Sequence, residues 1–185
     1  MRRSAFCFGF VTILASVLAA AGVDKTQIKV ANVSFFAPQG STLRAELLSG
    51  ELEKAISAAS LKVRAFSAKK IADVSDVKIV FVRSALGGEA VTGKSSTTLA
   101  HSKAGAVRVI TVTSGYGGHD YDTAAYNGRA LTKVSSDGFD ANGDKIIDGW
   151  IDVWEFDASG GGAFSVKSRS MNATKQSASK SIVIR

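Results

Sequence analysis

The chain has 185 residues, 45% of them hydrophobic, and a formal net charge of +7. That length and apolar content exclude a disordered polymer and allow one domain, with or without an appendage. The lone cysteine, Cys7, excludes a disulfide framework and thiolate chemistry for everything after it.

Residues 1–21 read as an export signal: Arg2 and Arg3, then an apolar run from Ala5 to Leu18, then Ala19-Ala20-Ala21 as a small-residue cleavage site. The expected address is secreted or periplasmic. No later run is apolar enough to span a bilayer, so no transmembrane segment is expected in the mature chain. Without Arg2 and Arg3 there remain 21 basic and 16 acidic residues, a net charge of +5.

Gln27 to Phe36 reads as a first strand, ended by Ala37-Pro38-Gln39-Gly40. One amphipathic helix follows, capped by Ser41 or Thr42, with Leu43, Leu47, Leu48, Leu52, Ile56 and Ala59 at helical spacing and Gly50 as a weak point. It reads as structural, packed on a sheet. Leu61 to Phe66 alternates like a short strand, and Ser67 to Asp76 is a polar connection. Residues 22–76 then form a strand-helix appendage to a main module at 77–185. In that module Val77 to Val82 suits a buried strand, Gly87-Gly88 a turn, Thr97-Thr98-Leu99 an edge strand, and Val107 to Thr113 a strong strand. Gly115-Tyr116-Gly117-Gly118-His119 reads as a tight loop at a sheet edge, since no helix follows to complete a phosphate cradle. Asn127-Gly128 marks a type I′ hairpin. Trp150 to Phe156, Phe164 to Met171 and Ser181 to Ile184 supply the last strands. Many short strands with regular turns point to a mainly β chain, an antiparallel β-sandwich carrying one N-terminal amphipathic helix.

The densest chemistry is the acidic run from Asp140 to Asp152. Asp140, Asn142 and Asp144 occupy the first, third and fifth places of a helix-loop-helix (EF-hand) calcium loop. Ile146 offers its backbone carbonyl at the seventh, and Asp148 falls on the ninth. The sixth place holds Lys145 rather than glycine, and the twelfth holds Ile151, with Asp152 one residue late. A strand follows, so the expected object is a calcium loop between strands, as in dockerin-like loops. The expected Ca2+ ligands are Asp140, Asn142, Asp144, Ile146, Asp148 and Asp152. Asp152 shares a strand face with Trp150 and Trp154, and the alternative is a solvated Asp/Asn/Gly turn. Asp120 and Asp122 read as exposed loop aspartates or as further oxygens for the ion. His101 and His119 are too few for a zinc site.

From about Val77 to Arg185 the sequence resembles a family of small secreted bacterial proteins carrying a domain of unknown function. The resemblance is carried by Ser96-Thr97-Thr98-Leu99-Ala100-His101, Gly115-Tyr116-Gly117-Gly118 and Ala125-Tyr126-Asn127-Gly128. It continues through Asp140-Ala141-Asn142-Gly143-Asp144, Asp148-Gly149-Trp150 and Ser181-Ile182-Val183-Ile184. It implies a secreted all-β module and no activity. Family members more often place glycine where this chain has Lys145.

Charge is uneven: Ala158 to Arg185 holds five basic residues and no acid. The leading expectation is a non-catalytic module, calcium-stabilised, that contacts a cell-surface partner or polymer. Trp150, Trp154, Tyr116, Tyr121 and Tyr126 form either a sugar-stacking surface or core. A secreted toxin or antagonist acting on anionic envelopes is one alternative. A hydrolase using His119 and Asp120, with Ser114 nearby, is the other. No aromatic interleaving of basic residues supports nucleic-acid binding.

Overall fold

A computed structural model describes residues 27–30, 32–58, 72–92, 98, 101–117, 120–171 and 176–185. The expected export signal, the strand at 61–66 and His119 lie outside the described residues, as does most of the expected edge strand at 97–99. The fold is mainly β, with antiparallel sheets, one of them curled into a half-barrel. The strands are β1 (Gln27–Val30), β2 (Val33–Phe36), β3 (Asp76–Ser84), β4 (Gly87–Ala90), β5 (Ala106–Ser114), β6 (Asp122–Tyr126), β7 (Arg129–Ala130), β8 (Lys133–Asp140), β9 (Gly149–Asp157), β10 (Gly162–Arg169) and β11 (Ser177–Ile184). They form a seven-stranded sheet, β1-β2-β8-β9-β5-β3-β4, and a four-stranded sheet, β11-β10-β6-β7.

Central strands β5 and β9 pair over nine residues, Ala106 with Asp157 through Ser114 with Gly149. Alternation along them feeds two cores. Ile110, Val112, Ile151 and Val153 face a cluster that includes helical Leu43, Leu47, Leu52 and Ile56. Val107, Val109 and Trp154 face the other way, against Tyr126, Phe164, Val166, Ile182 and Ile184 of the small sheet. A register shift between Ile79 and Phe81 lets β3 serve both. Val80 and Phe81 join the helical side, while Val77, Ile79 and Val82 join the inter-sheet side.

Three expectations are corrected. The first strand is a hairpin, because β1 pairs with β2, and β2 then pairs with β8. The single helix is two short ones, α1 (Thr42–Leu48) and α2 (Glu51–Ala58). Gly50 between them has φ +74°, a left-handed conformation that ends a helix and suits glycine. Gly87-Gly88 is not the turn; Ala85-Leu86 turns the chain, and the glycines open β4. Asn127 (φ 47°) and Gly128 (φ 79°) make the hairpin with both central residues at positive φ, as Asn-Gly favours.

Ser41 caps α1, its hydroxyl accepting the Arg44 amide at 3.2 Å. Glu46 then faces the sheet, nearly buried, and receives Arg83 Nε at 2.7 Å and Arg108 Nη1 at 3.3 Å. Arg83 also reaches Glu51 at 2.8 Å, and Arg108 reaches Glu155 at 2.6 Å. This network fastens both helices to β3, β5 and β9. Replacing Glu46 with alanine takes the buried partner from two arginines, leaving them Glu51 and Glu155 at the surface, and is expected to cost on the order of 1–2 kcal/mol. That is less than for a fully buried pair, because both arginines reach solvent. Urea unfolding of the variant against the parent measures it; an unchanged midpoint removes the network from the stability argument.

Candidate functional site

The acidic loop joins β8 to β9 and is built on its own backbone amides. Asp140 is buried; its Oδ1 accepts the Asn142 and Gly143 amides at 3.1 and 2.6 Å, and its Oδ2 accepts the Lys145 amide at 2.8 Å. Asp144 accepts the Ile146 amide at 2.8 Å, and Asn142 accepts that of Asp144 at 2.9 Å. Asp148, buried, accepts the Ala141 amide at 2.8 Å. Burial pushes its carboxyl above the usual carboxylate range, with Asp144 and Asp140 adding repulsion. Lys145 takes φ 68°. The sixth place of the loop therefore has the left-handed backbone that glycine normally supplies, at some strain for lysine. These amide bonds account for the Asp/Asn pattern as a chain of Asx turns. The oxygens that accept one amide keep a second lone pair for a ligand, whereas Asp140 Oδ1, which accepts two, does not. Among the described residues, no three His, Cys, Asp or Glu side chains group to hold a metal ion.

Asp152 goes elsewhere. Its electrostatic neighbours are Lys133, Asp122 and Ser136 rather than the loop carboxylates. It lies between the two sheets, 1% exposed, with Oδ1 accepting Ser136 Oγ at 2.5 Å and Oδ2 3.3 Å from Lys133 Nζ. The Lys133 ammonium also sits 5.4 Å from the Trp154 ring centroid. Asp122, read from sequence as a loop aspartate, opens β6 and is only 3% exposed, whereas Asp120 is exposed. Asp122 is thus a second carboxyl set against Asp152 inside the molecule. A cleft of about 380 Å³ reaches this point, lined among others by Asp120, Asp122, Lys133, Ser136 and Trp154.

The remaining residues singled out by sequence divide cleanly. Trp154 and Tyr126 are core: the Trp154 indole donates to Thr111 Oγ1 at 2.9 Å, and the Tyr126 hydroxyl donates to the Ala158 carbonyl at 3.2 Å. Trp150 packs edge-on against Tyr116, and Tyr121 lies under Arg169. The five rings thus make no shared stacking platform. His101 is buried, with Nδ1 2.8 Å from Ser84 Oγ and Nε2 3.2 Å from Glu89 Oε2. Sequence reasoning missed this chain of contacts, since Ser84, Glu89 and His101 stand on three separate elements. Ser84 lines a cleft of about 220 Å³ beside Arg83 and Arg108.

The outer face of the small sheet carries an open trough. Alternation turns Phe164, Val166 and Ile182 inward, so Thr123, Ala125, Ser165, Ser179 and Ser181 look outward around Lys167, with Arg169 on the same face. A trough of about 700 Å³ runs over these residues. No acid lies on this face among the described residues.

Burial pushes the Asp152 carboxyl up to about 7, with Asp122 adding to the rise and Lys133 and Ser136 opposing it. The folded state therefore holds this proton more tightly than the unfolded chain. Its contribution to stability is full below the ordinary carboxylate range and is lost as pH rises toward about 7. With chelator present, the melting midpoint is expected to fall between pH 5 and pH 8, and Asp152→Asn to flatten that slope. Melts at matched ionic strength check it; an unaltered slope in the variant assigns the dependence to other groups.

Residues 71–184 match the family model described as a domain of unknown function, DUF4879. No curated protein and no solved structure matches the chain. The match runs from the segment before β3 to the end of β11 and takes in the cleft, the acidic loop and the small sheet, leaving outside it β1, β2 and both helices. With more than half of its length matched, the chain belongs to the DUF4879 family.

Proposed function

We propose that this is an exported, non-catalytic binding module, a β-sandwich whose small sheet lays its outer face against an anionic polymer of the cell surface. The observation that carries this reading is that face: small side chains around Lys167, with Arg169 beside it and no acid. A surface of Ser, Thr and Ala lets an extended chain lie close to the backbone, and the cations attract it over a Debye length. Export would place it beside such polymers. The reading includes a calcium ion at the acidic loop, held by Asp140, Asn142, Asp144, the Ile146 carbonyl and Asp148 and without Asp152. The positive φ of Lys145 supports it.

Retention on immobilised polyanions, heparin and polygalacturonate, tests the binding face. Lys167→Glu with Arg169→Glu is expected to elute at roughly 100 mM lower salt than the parent. Lys29→Glu with Lys54→Glu, matched in net charge and away from both the loop and the small sheet, is expected to elute with the parent. Equal shifts in both double variants would reduce the binding to overall charge and end the reading.

The contacts around His101 favour a second reading, ester hydrolysis. Ser84 Oγ attacks a carbonyl carbon as His101 Nδ1 takes its proton, with the Glu89 carboxylate 3.2 Å from Nε2 to offset the charge the ring gains. His101 returns the proton to the leaving alcohol, and water then frees Ser84 by the same route. A fluorophosphonate probe is expected to label Ser84 in the parent and not in His101→Ala, read by peptide mass. Absence of the adduct in the parent leaves Ser84, His101 and Glu89 as structure.

A further inference from the structure

Three oxygen atoms on the inner face of the small sheet, beside the cleft, lack what buried polar atoms require. Asp122 is 3% exposed and Ser168 0% exposed, yet neither Asp122 oxygen nor Ser168 Oγ has a hydrogen-bond partner among the described residues, apart from the Asp152 carboxyl, which bonds Asp122 only by holding a proton between them. Asp122 and Ser168 face each other across the β6–β10 pair. Gly117 lies against both, and a methyl group there would come within 2.5 Å of Ser168 Oγ and 2.9 Å of Asp122 Oδ1. Only glycine leaves these two atoms as they are.

The charges do not close either. Asp122 and Asp152 bring two carboxyls together, and the lysine pairs with one of them: Lys133 lies 3.3 Å from Asp152. Burying a carboxylate without donors or a counterion is far costlier than burying one that is paired. A proton shared between the carboxyls would satisfy at most one Asp122 oxygen, leaving the other and Ser168 Oγ without a partner. A cation takes all three and completes its shell with water from the cleft, whose mouth carries the exposed Asp120. The available donors are all oxygen, which selects a hard ion over zinc or copper.

We propose that Asp122 and Ser168, with Asp152 behind them, hold a hard divalent cation of the calcium class at the floor of the cleft between the two sheets. This site is separate from the acidic loop. Two carboxyls and a hydroxyl make a weak site, of the extracellular kind with Kd on the order of 10⁻⁴–10⁻³ M. It would fasten the small sheet, through β6 and β10, to β9 of the large one.

Terbium, which replaces calcium and luminesces when an indole lies near, is the probe, because Trp154 lines the same cleft. The purified chain is expected to sensitise terbium emission, and millimolar calcium to quench it. Asp122→Asn should abolish the signal and Ser168→Ala, which alters no charge, should weaken it. The loop variant Asp140→Asn with Asp144→Asn should keep it. At about ten times Kd, calcium is also expected to raise the parent's melting midpoint by about 4 °C relative to chelator, and not that of Asp122→Asn. Three results would overturn the proposal: no emission from the parent, emission that survives in both Asp122→Asn and Ser168→Ala, or emission lost only in the loop variant. A higher, calcium-insensitive midpoint for Asp122→Asn would also overturn it, making Asp122 a protonated acid. The loop's own ion stands or falls separately, on the loop variant's melt.

Discussion

Because β9 lies between two cores, its alternation decides what the rest of the molecule must provide. Ile151 and Val153 need apolar cover on one side, and the two helices supply it. Trp154 and Asp152 face the other side, where the small sheet packs. Trp154 is accommodated readily, since its indole finds Thr111 on the neighbouring strand. Asp152 is the difficult residue. A carboxyl at the centre of a sheet must be offset by donors or by a counter-charge, and Lys133 and Ser136 of β8 provide both. The polar character of β8 follows from this duty: it is the strand that lines the wet side of the cleft.

The same constraint separates the two acidic regions. In the loop between β8 and β9, carboxylates close turns by accepting amides from their own chain, so their positions follow from local backbone geometry. Between the sheets, Asp122 and Asp152 come from elements 30 residues apart in sequence and are brought together only by tertiary packing. A local acidic pattern can thus be self-sufficient, while an inconspicuous pair of aspartates carries the larger electrostatic debt.

Much of the fold was legible from residues alone. The Asn127-Gly128 turn, the apolar run from Val77 and the strand that follows the acidic loop all follow from turn chemistry and β-branched composition. Strand β8 was not, because Lys133-Val134-Ser135-Ser136-Asp137-Gly138 has a polar inner face that no alternation rule anticipates. The break at Gly50 and the hairpin within 27–36 were underread for a different reason: a helical or strand pattern persists in the side chains across a point where the backbone turns. The loop aspartates were legible as a cluster, but Asp122 and the Ser84–His101–Glu89 contacts were not, since each depends on long-range pairing.

The way the sheets end bears on how the chain behaves among copies of itself. Three of the four outermost strands are short: four residues in β1, four in β4 and two in β7. β4 opens with two glycines and β7 begins with an arginine. A neighbour docking there would gain few backbone bonds and lose chain entropy, so these margins discourage fibril-like stacking. The fourth, β11, is eight residues long, but Thr98 already donates its amide to the Val183 carbonyl and Ser102 to that of Arg185. Those two bonds occupy the C-terminal end of the one margin long enough to template another strand, so a neighbour finds less of it to pair with.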